Sequence, residues 1–329
     1  MKKIFLAIST FISFNGYTQS DSIPLTKIAI DTTALLDSME LDLALLRTLM
    51  TENTSYFDIN VNLGNQVFSR NNFSLNSQQT TENTLSLKPG AGYYHKSGLS
   101  LSGMAYLNLS HTAGGFYQYS ITPGFAYAGK GKVAAGISYT HYFTMAKDTL
   151  PDFATPYDNE FYGYIYLAKG AIQPGIVLGY ATGTFTSIFR GKVQGPLGGL
   201  VFVVDSQKTK RSDFSVSGSL QHDFEWYDVL SKKDGLSFTP VLMLNAGSST
   251  TKVLAHSNKL VNNIIARRPN NRFRIQNAGF EIYSVGLSLN VMYEVGKFYL
   301  QPQGYFDYYL QDSDKKLTGL FSITAGINL

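Results

Sequence analysis

The sequence predicts an all-β protein: a single antiparallel transmembrane β-barrel of about twelve strands, with fourteen as the alternative count. Three observations predict it. From Ser55 onward apolar and polar residues alternate with a period of two, the period at which a strand returns its side chains to one face. The alternating segments run eleven to sixteen residues, whereas strands of soluble proteins run about five or six. Only 15% of the residues are charged, against roughly 25% in a soluble domain, too few to cover a water-facing surface of this size.

Two elements precede the barrel. Residues 1–18 of "MKKIFLAISTFISFNGYTQS" join two lysines to an apolar run from Ile4 to Phe14 and end in small or polar residues, the pattern of a secretory signal peptide cleaved near Thr18. That run is too short to cross a bilayer as a helix. The chain has no cysteine, so a lipid anchor, a disulfide framework and a thiolate metal site are all excluded. Residues 19–54 form a separate segment with an amphipathic helix over about 31–50, in which Leu35, Leu36, Met39, Leu43, Leu46 and Met50 recur at three- and four-residue spacing. Asp31 can cap its start and Arg47 suits the negative end of its dipole. Its acidic side, with Asp37, Glu40 and Asp42, suits a solvated cover better than a plug.

The barrel spans residues 55–329. Its alternating segments are 55–68, 84–95, 98–110, 115–128, 133–145, 158–168, 172–186, 214–229, 236–248, 280–294, 297–310 and 317–329. In "GLSLSGMAYLNLS", Leu99, Leu101, Ala105, Leu107 and Leu109 share one face and Ser100, Ser102, Tyr106, Asn108 and Ser110 the other. The polar faces carry Ser, Gly, Asn, Thr, Gln and Tyr where a soluble surface would carry more Lys and Glu, so the polar face is the inner one. In "YSVGLSLNVMY", Tyr283 and Tyr293 are ten steps apart, about 34 Å along a strand and about 26 Å after a membrane tilt. They are expected to mark two aromatic girdles, with lipid against Val285, Leu287, Leu289 and Val291.

The connections alternate in length. "HKSG", "GKGK", "AKGA", "SKKDG" and "EVGK" are tight turns; the intervening connections are longer, including residues 186–213 and 248–279. Within the first of these, "LGGLVFVVD" (197–205) could add a strand that lengthens a hairpin above the membrane. Five segments read apolar, polar, proline, ending at Pro89, Pro123, Pro174, Pro240 and Pro302. Each lies near a tight turn, and since proline cannot donate to a ladder, these are expected at bulges or ladder gaps on the lipid-facing side.

The chain ends "LFSITAGINL", in which Phe321, Ile323, Ala325, Ile327 and Leu329 alternate with Ser322, Thr324, Gly326 and Asn328. This resembles the C-terminal assembly signal of bacterial outer-membrane β-barrel proteins, with Ser322, Ile327 and Leu329 in place, Gly326 two positions late and leucine where an aromatic is commoner. The resemblance covers residues 55–329 as architecture. It implies export to the outer membrane, tight turns and both termini in the periplasm, and recognition of the last strand by the barrel-assembly machinery.

The search for chemistry is mostly negative. The five histidines lack metal-ligand spacing, "AHSNK" lacks the order of an outer-membrane phospholipase, and "GKGK" is a turn and not a phosphate loop. No enzyme, cofactor or nucleic-acid partner is expected. The candidate lumen-lining residues are Ser284, Ser288, Asn290, Tyr299, Gln301, Gln303 and Asp307, with Asp223 and Glu225 sharing a strand face with Tyr227. Inward tyrosines such as Tyr162, Tyr164, Tyr166, Tyr305 and Tyr309 argue against a wide pore. A candidate anion-binding loop carries Lys252, Lys259, Arg267, Arg268, Arg272 and Arg274 without an acid from 248 to 279. Its expected partners are lipopolysaccharide phosphates or a small anionic solute. The expected function is a narrow small-solute channel, the alternative a barrel that docks partners through its long loops or its N-terminal helix.

Overall fold

The computed structural model describes residues 54–66, 84–109, 115–128, 133–145, 154–168, 170–194, 200–256, 275–310 and 317–329. The signal peptide and the helix expected over 31–50 lie outside these residues. The chain forms β1 (Tyr56–Gln66), β2 (Thr84–Tyr94), β3 (Leu99–Asn108), β4 (Gly115–Ala128), β5 (Val133–Thr144), β6 (Asn159–Leu167) and β7 (Gln173–Gln194). It continues with β8 (Leu200–Gln221), β9 (Phe224–Tyr227), β10 (Asp234–His256), β11 (Ile275–Val295), β12 (Phe298–Tyr309) and β13 (Leu317–Asn328).

Each strand pairs antiparallel with its neighbours, and the ring closes where β1 meets β13, from Asp58 opposite Asn328 to Gly64 opposite Ser322. Phe57 and Leu329 exchange backbone hydrogen bonds of 3.0 and 2.7 Å at that seam. The thirteen strands occupy twelve positions, because β9 continues the ladder that β8 makes with β10. Leu, Ile, Val and Phe point outward around the whole wall, while Ser, Thr, Asn, Gln and Tyr point inward. Only lipid outside and water or polar groups inside satisfy that arrangement, so the barrel spans a membrane.

The sequence reading ended four strands too early. β7 and β8 run to Gln194 and from Leu200, through much of the connection expected over 186–213. β10 and β11 likewise extend to His256 and from Ile275, through much of 248–279. The segment that could add a strand, 197–205, enters β8 at Leu200; Leu200–Val204 is apolar without a break and 206–213 is polar without one, so no apolar alternation marks these tracts. A segment that leaves the bilayer no longer needs one.

Tight turns join strands at one rim. In 95–98, Gly98 adopts φ +92° and its N–H donates to His95 O at 2.8 Å, while an added Cβ would strike the Ala126 carbonyl. The larger turn 228–234 is organised by Asp234, whose carboxylate accepts the N–H groups of Val229, Leu230 and Ser231 at 2.7, 2.8 and 2.7 Å.

The five prolines share one geometry. All project outward, and each has a ladder partner on one side only: Val61, Leu101, Leu220, Leu289 and Ile323 face Pro89, Pro123, Pro174, Pro240 and Pro302. On the other side the β2–β3, β4–β5 and β11–β12 ladders skip two residues, β10 passes from β9 to β8, and Pro174 lies past the end of the β6–β7 ladder. Proline has no N–H to donate to the ladder at these breaks. The polar residue before it faces inward and bridges three of the gaps: Thr122 hydrogen-bonds Thr140 at 2.9 Å, Thr239 donates to Asp223 at 2.6 Å, and the Lys88 ammonium lies 5.9 Å from the Tyr106 ring centre.

Outward aromatics form two bands. Phe57, Tyr93, Phe125, Tyr127, Phe224, Trp226 and Phe298 lie toward the short-turn rim; Phe116, Tyr119, Phe143, Tyr180, Phe214, Phe280 and Tyr308 lie toward the long-loop rim. On β12 the two bands are Phe298 and Tyr308, ten residues apart and 61% and 45% exposed. That spacing projects to about 26 Å, the height of a lipid-facing band. Tyr283, expected in such a girdle, is instead 1% exposed and packs against Tyr309 inside the wall. Asn245 pairs with Ser284 and Ala246 with Ile282, so Tyr283 is the extra residue of a β-bulge and the alternation inverts above it. Tyr293 is half-buried and donates its hydroxyl to Asp234 at 2.9 Å.

Candidate functional site

The inner face is built from short polar side chains that bond one another across strands. Ser217 donates to Asn245 at 2.7 Å, and Asn245 donates to Ser284 and Tyr305 at 3.1 Å each. Asn62 donates to Thr324 at 2.8 Å across the β1–β13 seam, and Gln221 to Gln173 at 2.9 Å. Tyrosines lie flat where the facing strand offers glycine: a Cβ on Gly136 would come within 2.4 Å of the Tyr164 hydroxyl, and one on Gly326 within 2.4 Å of the Tyr299 ring. Glycine at these sites lets a large ring line the wall instead of crossing the lumen.

Ser284, Ser288, Gln301, Gln303 and Asp307 are buried on this inner face, and Asn290 and Tyr299 are half-buried. Tyr299 donates to Asp58 at 2.9 Å, tying β12 to β1 across β13. Asp223 is half-buried at the break between β8 and β9. Glu225 is exposed on β9, accepting the Tyr227 hydroxyl at 2.9 Å, so Asp223 and Glu225 serve different partners. Lys252 is exposed on the outer face of β10; Lys259, Arg267, Arg268, Arg272 and Arg274 lie outside the described residues.

The interior also holds a feature that alternation could not reveal. Residues 154–158, just before β6, fold into the barrel, with Ala154, Thr155 and Tyr157 all buried. Gln118 on β4 clamps one end, donating to the Thr155 carbonyl at 3.2 Å and accepting the Thr155 N–H at 3.3 Å. At the other end the Tyr157 hydroxyl donates to Asp213 on β8, which also accepts Arg211 at 2.8 to 3.2 Å and Ser249 at 2.5 Å. The Arg211 guanidinium sits 5.7 Å from the Tyr157 ring centre. Asp158 accepts the Thr184 N–H at 2.8 Å, and Gly183 makes room: a Cβ there would lie 2.2 Å from the Pro156 carbonyl. The segment thus bridges from β4 to β8 and narrows the lumen beneath the long-loop rim.

Beside it lies a small cleft open to the lumen. Tyr94, Tyr106 and Tyr142 supply aromatic faces, Asn60, Ser102, Ser120, Thr122 and Thr140 supply neutral hydrogen-bonding groups, and Gly90 and Gly103 keep part of the wall low. Tyr106 is anchored by Ser120 at 3.4 Å and Tyr142 donates to Glu160 at 2.8 Å.

Sequence reasoning missed Gln118, Tyr157, Gly183, Arg211 and Asp213. One signal was available: Arg211 and Asp213 share a strand face two residues apart, in a tract that had been read as loop.

No family model matches the sequence, and no curated protein matches it. Among solved structures, the NanC porin is 9% identical, with 82% of this chain and 100% of that one covered at a TM-score of 0.35. An outer membrane channel from Pseudomonas putida F1 is 7% identical over 84% and 96% of the two chains at 0.44, and the translocator domain of autotransporter NalP from Neisseria meningitidis is 10% identical over 92% and 98% at 0.30. These likenesses are too slight to carry an argument about what this barrel does.

Proposed function

We propose that this protein is a narrow channel for small polar solutes in a bacterial outer membrane, with both chain ends on the short-turn, periplasmic side. The observation that supports this reading is an inner face of hydroxyl and amide side chains within a closed wall. A hydrated solute can exchange its water for the hydroxyl and amide groups on the inner wall, so entry does not strip it of hydrogen bonds. Residues 154–158, tied across the interior from β4 to β8, form a constriction. Among the described interior residues the carboxylates Asp58, Glu160, Asp213 and Asp307 outnumber the cations Lys88 and Arg211. The lumen therefore favours cations over anions.

Planar-bilayer recording of the refolded protein tests this reading. The expected result is a small single-channel conductance with a reversal potential on the cation side in a salt gradient. Replacing Gly183 with valine, whose side chain cannot coexist with Pro156 and Tyr157 in place, should displace the constriction and raise conductance several-fold. A folded barrel that passes no current would instead favour partner docking, which the protruding wall of β7, β8, β10 and β11 supports.

A further inference from the structure

Three lysines stand together on the outer wall. Lys208 and Lys210 are two residues apart on β8, and Lys210 is the direct cross-strand partner of Lys252 on β10. All three are exposed. Like charges placed opposite each other in an antiparallel pair destabilise it. Among the described residues nothing offsets them: the same outer face presents Thr184 and Thr186 on β7, Ser212 on β8, and Thr250 and Leu254 on β10, with no acid. Arg211, which lies between Lys210 and Ser212, points to the inner face and is paired with Asp213.

The height of the cluster identifies its environment. Below it on the same surface run Tyr180, Phe214 and Phe280, the last two with ring centres 6.2 Å apart. Such aromatic bands mark the membrane interface. From Phe214 to Lys210 is about 13 Å along the strand and to Lys208 about 20 Å, or about 10 and 15 Å along the membrane normal after the tilt. The long lysine stem can also swing its ammonium toward the surface. The ammonium groups therefore stand at the level of lipid headgroups.

We propose that Lys208, Lys210 and Lys252 form a docking site for the phosphate groups of membrane lipids at the long-loop rim. Bound phosphate oxygens would supply the counter-charge that the fold withholds and relieve the repulsion between Lys210 and Lys252. Each lysine close to an anionic membrane surface contributes about fivefold in affinity, on the order of 100-fold for the three together. The site does not depend on whether the lumen conducts.

The test uses the full-length barrel folded into phosphatidylcholine vesicles that carry lipid A, extracted into mild detergent, with retained lipid counted by native mass spectrometry. The wild type should keep lipid A in preference to phosphatidylcholine, and retention should fall as salt is raised. The K208Q/K210Q/K252Q variant should lose most of it, and the K208R/K210R/K252R variant should keep it. Equal retention by wild type and the glutamine variant would overturn the proposal, as would displacement of lipid A by inorganic phosphate at matched phosphorus, which would mark a site for free anions. If the triple variant fails to fold, K210Q serves, since it removes the like-charge pair; unchanged retention there counts equally against the site.

Discussion

The lower and upper halves of β8 and β10 share one backbone geometry and one inner surface, yet their outer surfaces are opposites. Near the short turns the outer residues are Leu220, Val216, Leu242 and Leu244; beyond Phe214 they become Ser212, Lys210, Lys208, Thr250 and Lys252. On β8 the inner residues stay polar throughout, from Ser219 and Ser217 to Asp213 and Thr209, and on β10 the buried Val241 and Met243 give way to Asn245, Ser249 and Thr251. What changes along the strand is the medium outside. Strands of nine or ten residues, such as β6 and β3, stop near the interface, whereas β8 and β10, at 22 and 23 residues, carry the same wall onward into water. Bilayer thickness thus fixes where the apolar face ends and leaves strand length free.

The strongest way to break this comparison is to place a charge in each half. Leu242 is 49% exposed on the outer face, midway between the aromatic bands. Leu242→Arg should cost about 2 to 4 kcal/mol in a bilayer folding titration, the penalty for arginine near the midplane of a barrel wall. Thr250→Arg, eight residues further along the same face, should lie within about 0.5 kcal/mol of wild type, as a surface substitution does. Similar costs at both positions would mean that the outer medium does not change at Phe214.

A second test asks whether the inner surface is structural as well as permissive. Asp213 gathers Tyr157, Arg211 and Ser249 on one carboxylate. Asp213→Ala leaves an inward guanidinium and two hydroxyls without their acceptor and should cost about 1 to 3 kcal/mol. Conductance should rise because residues 154–158 lose one of their three anchors. A stable variant with unchanged conductance would show that Gln118 and the Asp158–Thr184 hydrogen bond hold the segment by themselves.

The same contrast explains how much was legible in the sequence. Twelve positions, the inside-out wall and the tight-turn rim follow from alternation, because in lipid every outward residue must be apolar and every second residue therefore reports its face. The report fails where that constraint lapses. From Ser206 to Asp213 both faces are polar, so Lys208, Lys210 and the Arg211–Asp213 pair read as loop. It also fails at Tyr283, where one bulged residue inverts the phase and turns an expected girdle tyrosine inward. The constriction was beyond reach for a third reason: Tyr157 meets Asp213 across 56 residues of chain, and no periodicity encodes that meeting. Proline was more informative than its usual role as a strand breaker suggests, since the polar residue before it marks the inner side of each gap.

Those prolines allow the finest test, and the smallest expected effect. Within β8 and β10 the only proline is Pro240, in the lipid-facing half, and the upper half has none. On β12, Gln303 pairs with Asn290 and Leu300 with Tyr293, so continuing the register would set Pro302 against Val291. Pro302→Ala restores an N–H at that position. If the gap exists only because proline lacks a donor, the alanine amide should close the ladder, gaining about 0.5 to 1.5 kcal/mol and losing about 0.4 to 1 kcal/mol from the freer unfolded chain. The net change in stability should be within about 1 kcal/mol of zero, so the decisive reading is local. The amide of residue 302 should become as protected from hydrogen exchange as its neighbours on β12. Fast exchange at that amide in a stable barrel would mean that wall curvature holds the gap open, with proline merely tolerated there, and would remove proline as the cause of the belt.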